Sequence, residues 1–218
     1  MDIPQLKGPM MPPASGGAPT SMVILLQGYG SNGDDLIGLA HYWRRALPDT
    51  VFLSPHAPQP CPGAPDGWQW WPITDFSPAS RIAGVRQAAP VVDAFIDQQL
   101  ARFGLSEDRL ALVGFSQGTM VSLQVAPRRA RRIAGVVGYS GMLADPDGLA
   151  SEAQTKPPIL LIHGDADPMV PVAALGQAEA ALAAAGFAVG THVSPGLDHS
   201  IDEAGLTLGE QFLTRVLA

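Results

Sequence analysis

The sequence predicts an α/β sandwich, with a mostly parallel central sheet, helices on both faces and no large cap. Three observations carry this expectation. Short apolar runs, such as Val23-Ile24-Leu25-Leu26 and Ile159-Leu160-Leu161-Ile162, recur along the chain, as strands covered on both faces require. Segments of helical periodicity separate them, and strand–helix alternation builds parallel sheets through right-handed crossovers. Finally, Gly114-Phe115-Ser116-Gln117-Gly118 joins an apolar run to a helix-compatible one through a sharp turn. The 218 residues suit one core, and neither an internal repeat nor a second domain interrupts them.

The elements follow in order. Residues 1–20, rich in Pro, Gly and Met, read as a flexible arm with room for a short strand, and residues 21–218 as the single domain. The arm lacks a positive start followed by an apolar core, so it does not read as a signal peptide. Met22 to Gln27 is the first clear strand. A Gly-rich turn, Gly28 to Gly33, leads to a helix through about Leu47, with Asp34 or Asp35 as its cap. Thr50 to Ser54 is the next strand. Pro55 to Ser80, dense in Pro and Trp, is too long for a mere connector. Arg81 to Phe103 has helical periodicity, with Ile82, Val85, Ala89, Val92, Phe95, Ile96 and Leu100 on one side; Pro90 either kinks it or opens a second helix. Strands are expected at Arg109 to Phe115, Ile133 to Tyr139 and Pro157 to His163. Val172 to Ala185 is an Ala-rich helix stopped at Gly186. Phe187 to Val193 is the last strand and Ile201 to Leu217 the last helix.

Composition narrows the function classes. Hydrophobic residues make up 46% and charged ones 15%, yet no run approaches the ~20 apolar residues of a membrane span. A net charge of −7 argues against a nucleic-acid partner, because no phosphate-neutralising patch is present. The one basic cluster, Arg128-Arg129-Ala130-Arg131-Arg132, reads as a solvated corner ahead of a docking patch. A single cysteine, Cys61, permits no disulfide within the chain, which accords with a cytoplasmic setting. No cluster of His, Cys and carboxylates has metal-ligand spacing.

Ser116 carries the chemistry. Glycines flank it where side chains would collide with a tight turn, and the turn raises its hydroxyl to a helix N-terminus, where negative charge is stabilised. A serine hydroxyl needs a base, and the base an orienting acid, in the chain order serine, acid, histidine. Of the five histidines, His41 and His56 precede the serine, while His163 and His192 lie in strands. His199 lies in the loop after the last strand, where catalysts collect in open α/β sheets, and is the expected base. For the acid, Asp165 and Asp167 both follow a strand. Asp165 is suited to tying up loop amides, and Asp167, before Pro168, is favoured by position. Asp198 adjoins the base, but neighbours in an extended loop point apart. The oxyanion donors expected are the backbone N–H groups of Gln117 and of Tyr29, in the turn Gln27-Gly28-Tyr29-Gly30-Ser31. That turn has neither dinucleotide spacing nor the Lys-Ser/Thr of a phosphate loop. Trp68, Trp70 and Trp71 either anchor the long loop or wall a substrate pocket with Met169 beside the acid segment.

These motifs together resemble the phospholipase/carboxylesterase family of α/β hydrolases, which includes acyl-protein thioesterases and small bacterial carboxylesterases. The resemblance runs from about Met22 to Leu217. It rests on Leu25 to Leu36, Pro55-His56-Ala57-Pro58, Gly114 to Gly118, His163 to Pro171 and Asp198-His199. It implies an α/β-hydrolase fold and a Ser116–Asp167–His199 triad with Tyr29 and Gln117 as oxyanion donors. It also implies no cofactor, hydrolysis of small carboxylic esters, and a possible homodimer. A long-acyl lysophospholipase or acyl-protein thioesterase is the nearest alternative, and a catalytically inactive binding protein the alternative of another class. Two departures stand out. The family's usual His-Gly at the oxyanion turn is Gln27-Gly28 here, and Gln27 retains the means to hydrogen-bond across the turn. The Trp68-Gln69-Trp70-Trp71 stretch is bulkier than usual, which predicts a narrowed pocket for short or medium acyl groups.

Overall fold

The computed structural model describes residues 5–218. Its strands are β1 (Met10–Met11), β2 (Ser21–Leu26), β3 (Thr50–Leu53), the pair β4 (Gln59–Pro60) and β5 (Trp68–Gln69), β6 (Leu110–Phe115), β7 (Gly135–Tyr139), β8 (Ile159–Gly164) and β9 (Val189–Ser194). Seven of them form one sheet in the order β1-β3-β2-β6-β7-β8-β9, and β4 and β5 pair separately. Every ladder in the large sheet is parallel except β1 on β3. Strands β2, β3 and β7 are buried along their whole lengths, as their largely apolar sequences require, and the polar starts of β2 and β3, Ser21 and Thr50, hydrogen-bond each other at 2.7 Å.

The helices are α1 (Gly33–Leu36), α2 (Leu39–Trp43), α3 (Pro78–Phe103), α4 (Gln117–Val125), α5 (Pro146–Glu152), α6 (Ala173–Ala184) and α7 (Glu203–Val216). Alternation along β2 sorts them into two cores. Met22, Ile24 and Leu26 pack with Val85, Val92 and Ile96 of α3, Val121 of α4 and Leu175 of α6. Val23 and Leu25 point the other way, to Trp43 of α2 and Phe212 and Leu213 of α7. The expected sandwich with helices on both faces is therefore present, and among the described residues no large insertion caps it.

Several local expectations change. The helix expected through Leu47 breaks at Ile37-Gly38 into α1 and α2, and its cap is Asn32, whose side chain accepts from the Asp35 amide; Asp34 and Asp35 instead fill the first turn. Helix α3 starts earlier, with Ser77 as cap and Pro78 in the first turn. It runs unbroken through Pro90, which sits on the solvent face, where water can serve the carbonyl that proline leaves without a donor. The looseness expected of residues 1–20 does not describe residues 7–20. Ser54 N donates to Pro9 O, His56 N to Lys7 O and Thr20 N to Asp49 O, which fastens the segment along β3; residues 1–4 lie outside the described part. The basic cluster is not simply a solvated corner. Arg129, 8% exposed, pairs with Asp93 and Asp97, and Arg128 pairs with Glu152 and Asp145, while Arg131 faces solvent. A buried guanidinium without partners would be costly, so the carboxylates of α3 explain the inward turn.

Candidate active site

The parallel sheet brings the C-terminal ends of β2, β6, β8 and β9 to one edge, and each leads into a segment singled out in the sequence. Between β6 and α4, Ser116 has φ 52° and ψ −113°. Among the described residues only Ser116 and Ser140 combine a side chain with positive φ. Such backbone costs about 1–3 kcal/mol and persists only where surroundings enforce it. Here the enforcement is close packing of α4 against the end of β2. A Cβ at Gly118 would stand 1.8 Å from Leu26 O, and one at Gly114 2.4 Å from Thr119 N.

After β8, Asp167 turns a fully buried carboxylate toward the loop after β9. Its Oδ2 accepts from His199 Nδ1 at 2.7 Å, and its Oδ1 from the amides of Met169 at 2.8 Å and Val170 at 2.9 Å. The His199 ring lies 4.9 Å from that of Phe115, the residue before Ser116. With Nδ1 facing a carboxylate, the neutral ring carries its proton there and leaves the Nε2 lone pair free. Burial pushes the Asp167 carboxyl up, but the hydrogen bonds from His199 and the two amides outweigh burial and hold it below the usual carboxylate range. A depressed folded-state value stabilises the fold above the unfolded value of about 4, and that contribution is lost as pH falls through the folded value. Thermal unfolding between pH 3 and pH 7 is therefore expected to weaken more steeply toward acid in the wild type than in Asp167→Asn, which lacks this titration.

The competing residues go elsewhere. Asp165 Oδ1 accepts from the Gly196 amide at 2.5 Å, the amide-tying role the sequence suggested. Asp198 is exposed and accepts from Ser200 Oγ. His41 is exposed, His192 lies on the edge strand β9, and His56 Nδ1 accepts from the Gly33 amide at 3.1 Å.

The Gly28–Tyr29 turn lies directly on the elbow: a Cβ at Gly28 would be 3.3 Å from Ser116 Cβ. Gln27 does bond across the turn, Nε2 donating to Ser31 O at 2.7 Å. The long loop is strapped to this turn. Trp70 Nε1 donates to Gln27 O at 2.9 Å, and Trp68 N to Ser31 O at 2.7 Å. The Gln117 side chain completes the strap, accepting from Trp70 N and donating to Trp71 O, each at 2.9 Å. Trp70 is fully buried, and Trp71 packs so closely on Gly84 that a Cβ there would lie 2.1 Å from its ring. These two tryptophans anchor the loop and do not wall a pocket with their rings. Trp68 is half-buried, and Met169 is 67% exposed beside Asp167.

Sequence reasoning missed three contributors. The Gln117 side chain joins the elbow to the long loop. Ser140, after β7, donates through Oγ to Ser200 O, next to His199. His163 contacts the Asp167 segment. For Ser140 the available signal was its position at the C-terminal end of a strand, the edge where sites collect.

A family profile described as Phospholipase/Carboxylesterase matches residues 13–217. The chain belongs to this family. It is 41% identical to esterase PE8, whose crystal structure superposes with a TM-score of 0.94 over 98% of this chain and 100% of that one. It is 28% identical to the Escherichia coli esterase YpfH over 185 residues, 85% of this chain and 78% of YpfH. Acyl-protein thioesterase 1 of Schizosaccharomyces pombe is 33% identical over 163 residues, 71% of each chain. Membership brings a serine-hydrolase type of esterase activity.

Proposed function

We propose that the chain is a carboxylesterase working through Ser116, His199 and Asp167 on short or medium acyl esters. The observation that carries this reading is the Asp167–His199 pair, 2.7 Å apart with its carboxylate buried, the imidazole 4.9 Å from the ring of Phe115 and so next to the strained turn of Ser116. In the forward half-reaction Ser116 Oγ attacks the ester carbonyl while His199 Nε2 takes its proton. The carbonyl oxygen becomes an oxyanion facing the N–H groups of Tyr29 and Gln117 at the N-terminus of α4. His199 then protonates the leaving alcohol as the tetrahedral intermediate collapses to the acyl-enzyme. Water, deprotonated by His199, repeats the attack and releases the acid, restoring Ser116. Asp167 keeps the imidazole in the tautomer that both halves require.

Preference for short chains is supported by the strapping of the long loop to Gln27, Ser31 and Gln117, which holds the loop close against the turn. Exposed Met169, 67% accessible beside Asp167, favours the second reading, an acyl-protein thioesterase or lysophospholipase with a long apolar groove. Initial rates on p-nitrophenyl esters from acetate to palmitate decide between them. The expected result is a maximum at acetate to hexanoate. A maximum at palmitate moves the assignment to the second reading. Failure to label with a fluorophosphonate probe leaves only an inactive binding protein.

A further inference from the structure

Around Asp167 the hydrogen bonds close into a ring containing a second imidazole that the proposed cycle does not use. His163, in β8, is 1% exposed. Its Nε2 lies 2.8 Å from Val170 O and 3.3 Å from Asp167 Oδ2. A carbonyl and an ionised carboxylate only accept, so Nε2 carries the proton, directed at the carbonyl with the carboxylate beside it. Val170 N donates in turn to Asp167 Oδ1 at 2.9 Å, and His199 Nδ1 to Oδ2. One carboxylate thus stands between two imidazoles, of which only His199 adjoins the elbow.

We propose that His163 is a positioning residue for Asp167, fixing both the direction and the basicity of the carboxylate that orients His199. This rests on the reading of Ser116, His199 and Asp167 given above. Packing alone does not explain an imidazole here. Its other surroundings include Thr119, Leu123, Met142, Leu161 and Leu175, which an apolar side chain would suit better. Among the described residues Asp167 is the sole acidic group within 4 Å of it, and no other charged or titratable group lines that small cavity. A buried N–H is costly unless it is bonded, and this one is bonded to the loop that carries the acid. Its positive end also offsets part of the negative potential at Oδ2. Withdrawing it leaves Asp167 more negative toward His199, which favours the protonated imidazole. Protonated His199 cannot accept the Ser116 proton, so the acid limb of kcat/KM moves to higher pH.

The substitutions His163→Gln and His163→Asn separate donor from filler. A glutamine amide nitrogen reaches the Nε2 position, whereas asparagine reaches only the Nδ1 position. The Gln variant is expected to keep the wild-type acid limb and nearly the wild-type rate. The Asn variant is expected to lose about tenfold in kcat, part of the 10²–10⁴ a positioned base contributes, with KM unchanged. Its acid limb is expected about half a pH unit higher. An Asn variant that folds and keeps the wild-type limb overturns the proposal. So does a folded Gln variant with the rate loss and limb shift expected of Asn, a comparison that holds even if Asn fails to fold. Ser116→Ala in the same assay separates the two levels: a rate surviving in it removes the underlying site, not the role of His163 alone.

Discussion

Ser116→Ala is expected to lower kcat on p-nitrophenyl acetate by about 10⁶ and leave the fold unchanged. Chemically, Oγ is the atom on which the acyl-enzyme forms, so its removal leaves only binding and oxyanion donors, which give a residual 10³–10⁴ over water. Structurally, the side chain of Ser116 makes no hydrogen bond that holds the turn: the contacts there are backbone ones, Ser116 N to Tyr139 O at 2.9 Å and Met120 N to Ser116 O at 3.2 Å. Alanine keeps these. It also keeps the strain, because φ 52° and ψ −113° suit no residue with a Cβ. Ser116→Gly relieves that strain and is expected to be equally inactive but about 1 kcal/mol more stable, after allowing for the greater freedom of glycine in the unfolded chain. Thermal unfolding beside initial rates checks both. A glycine variant less stable than the alanine one by about 0.5–1 kcal/mol, the cost of glycine's freedom alone, would show that the turn stores no strain, and an active alanine variant would put the nucleophile elsewhere.

The elbow was legible in the sequence because its constraint is local: two glycines four residues apart around a serine, between an apolar run and a helix-compatible one, admit few geometries. Asp167 and His199 were legible for a related reason. Chain order and strand ends narrow the choice to His199 and to Asp165 or Asp167, the place before Pro168 favours Asp167, and the parallel sheet brings the ends of β8 and β9 together, as the 2.7 Å contact records. What was not legible depends on tertiary neighbours. Tryptophan spacing in Trp68-Gln69-Trp70-Trp71 says nothing of which rings turn inward. That is decided by Gly84 on α3, which leaves room for Trp71, and by Gln27 O, which captures the Trp70 indole. The inward turn of Arg128 and Arg129 likewise depends on Asp93, Asp97, Asp145 and Glu152, distant in sequence. His163 illustrates the same limit. Its sequence position places it in a strand, and only the return of the chain at Val170 reveals what its Nε2 bonds.

Gly118→Ala is expected to disable the enzyme without touching any reacting group. The added methyl would meet Leu26 O at 1.8 Å, Leu26 C at 2.4 Å and Gln27 O at 2.7 Å. All three are backbone atoms, so no side-chain rotation relieves the clash. The end of β2 and the first turn of α4 must move apart, and these carry the two proposed oxyanion donors, Tyr29 and Gln117. Donors displaced from the developing charge lose most of their worth, so kcat is expected to fall about 10²–10³, with KM affected much less. Overpacking adds a stability loss of about 1–3 kcal/mol, visible as a lower melting temperature. Gly176→Ala supplies the contrast. Gly176 lies in α6 with nothing within 4 Å of the added carbon, so the same substitution is expected to raise stability by about 0.5–1 kcal/mol through helix propensity and leave the rate unchanged. If Gly118→Ala retains wild-type kcat, the close approach of α4 to β2 does not set the oxyanion geometry, and the donors at Tyr29 and Gln117 must be reassigned.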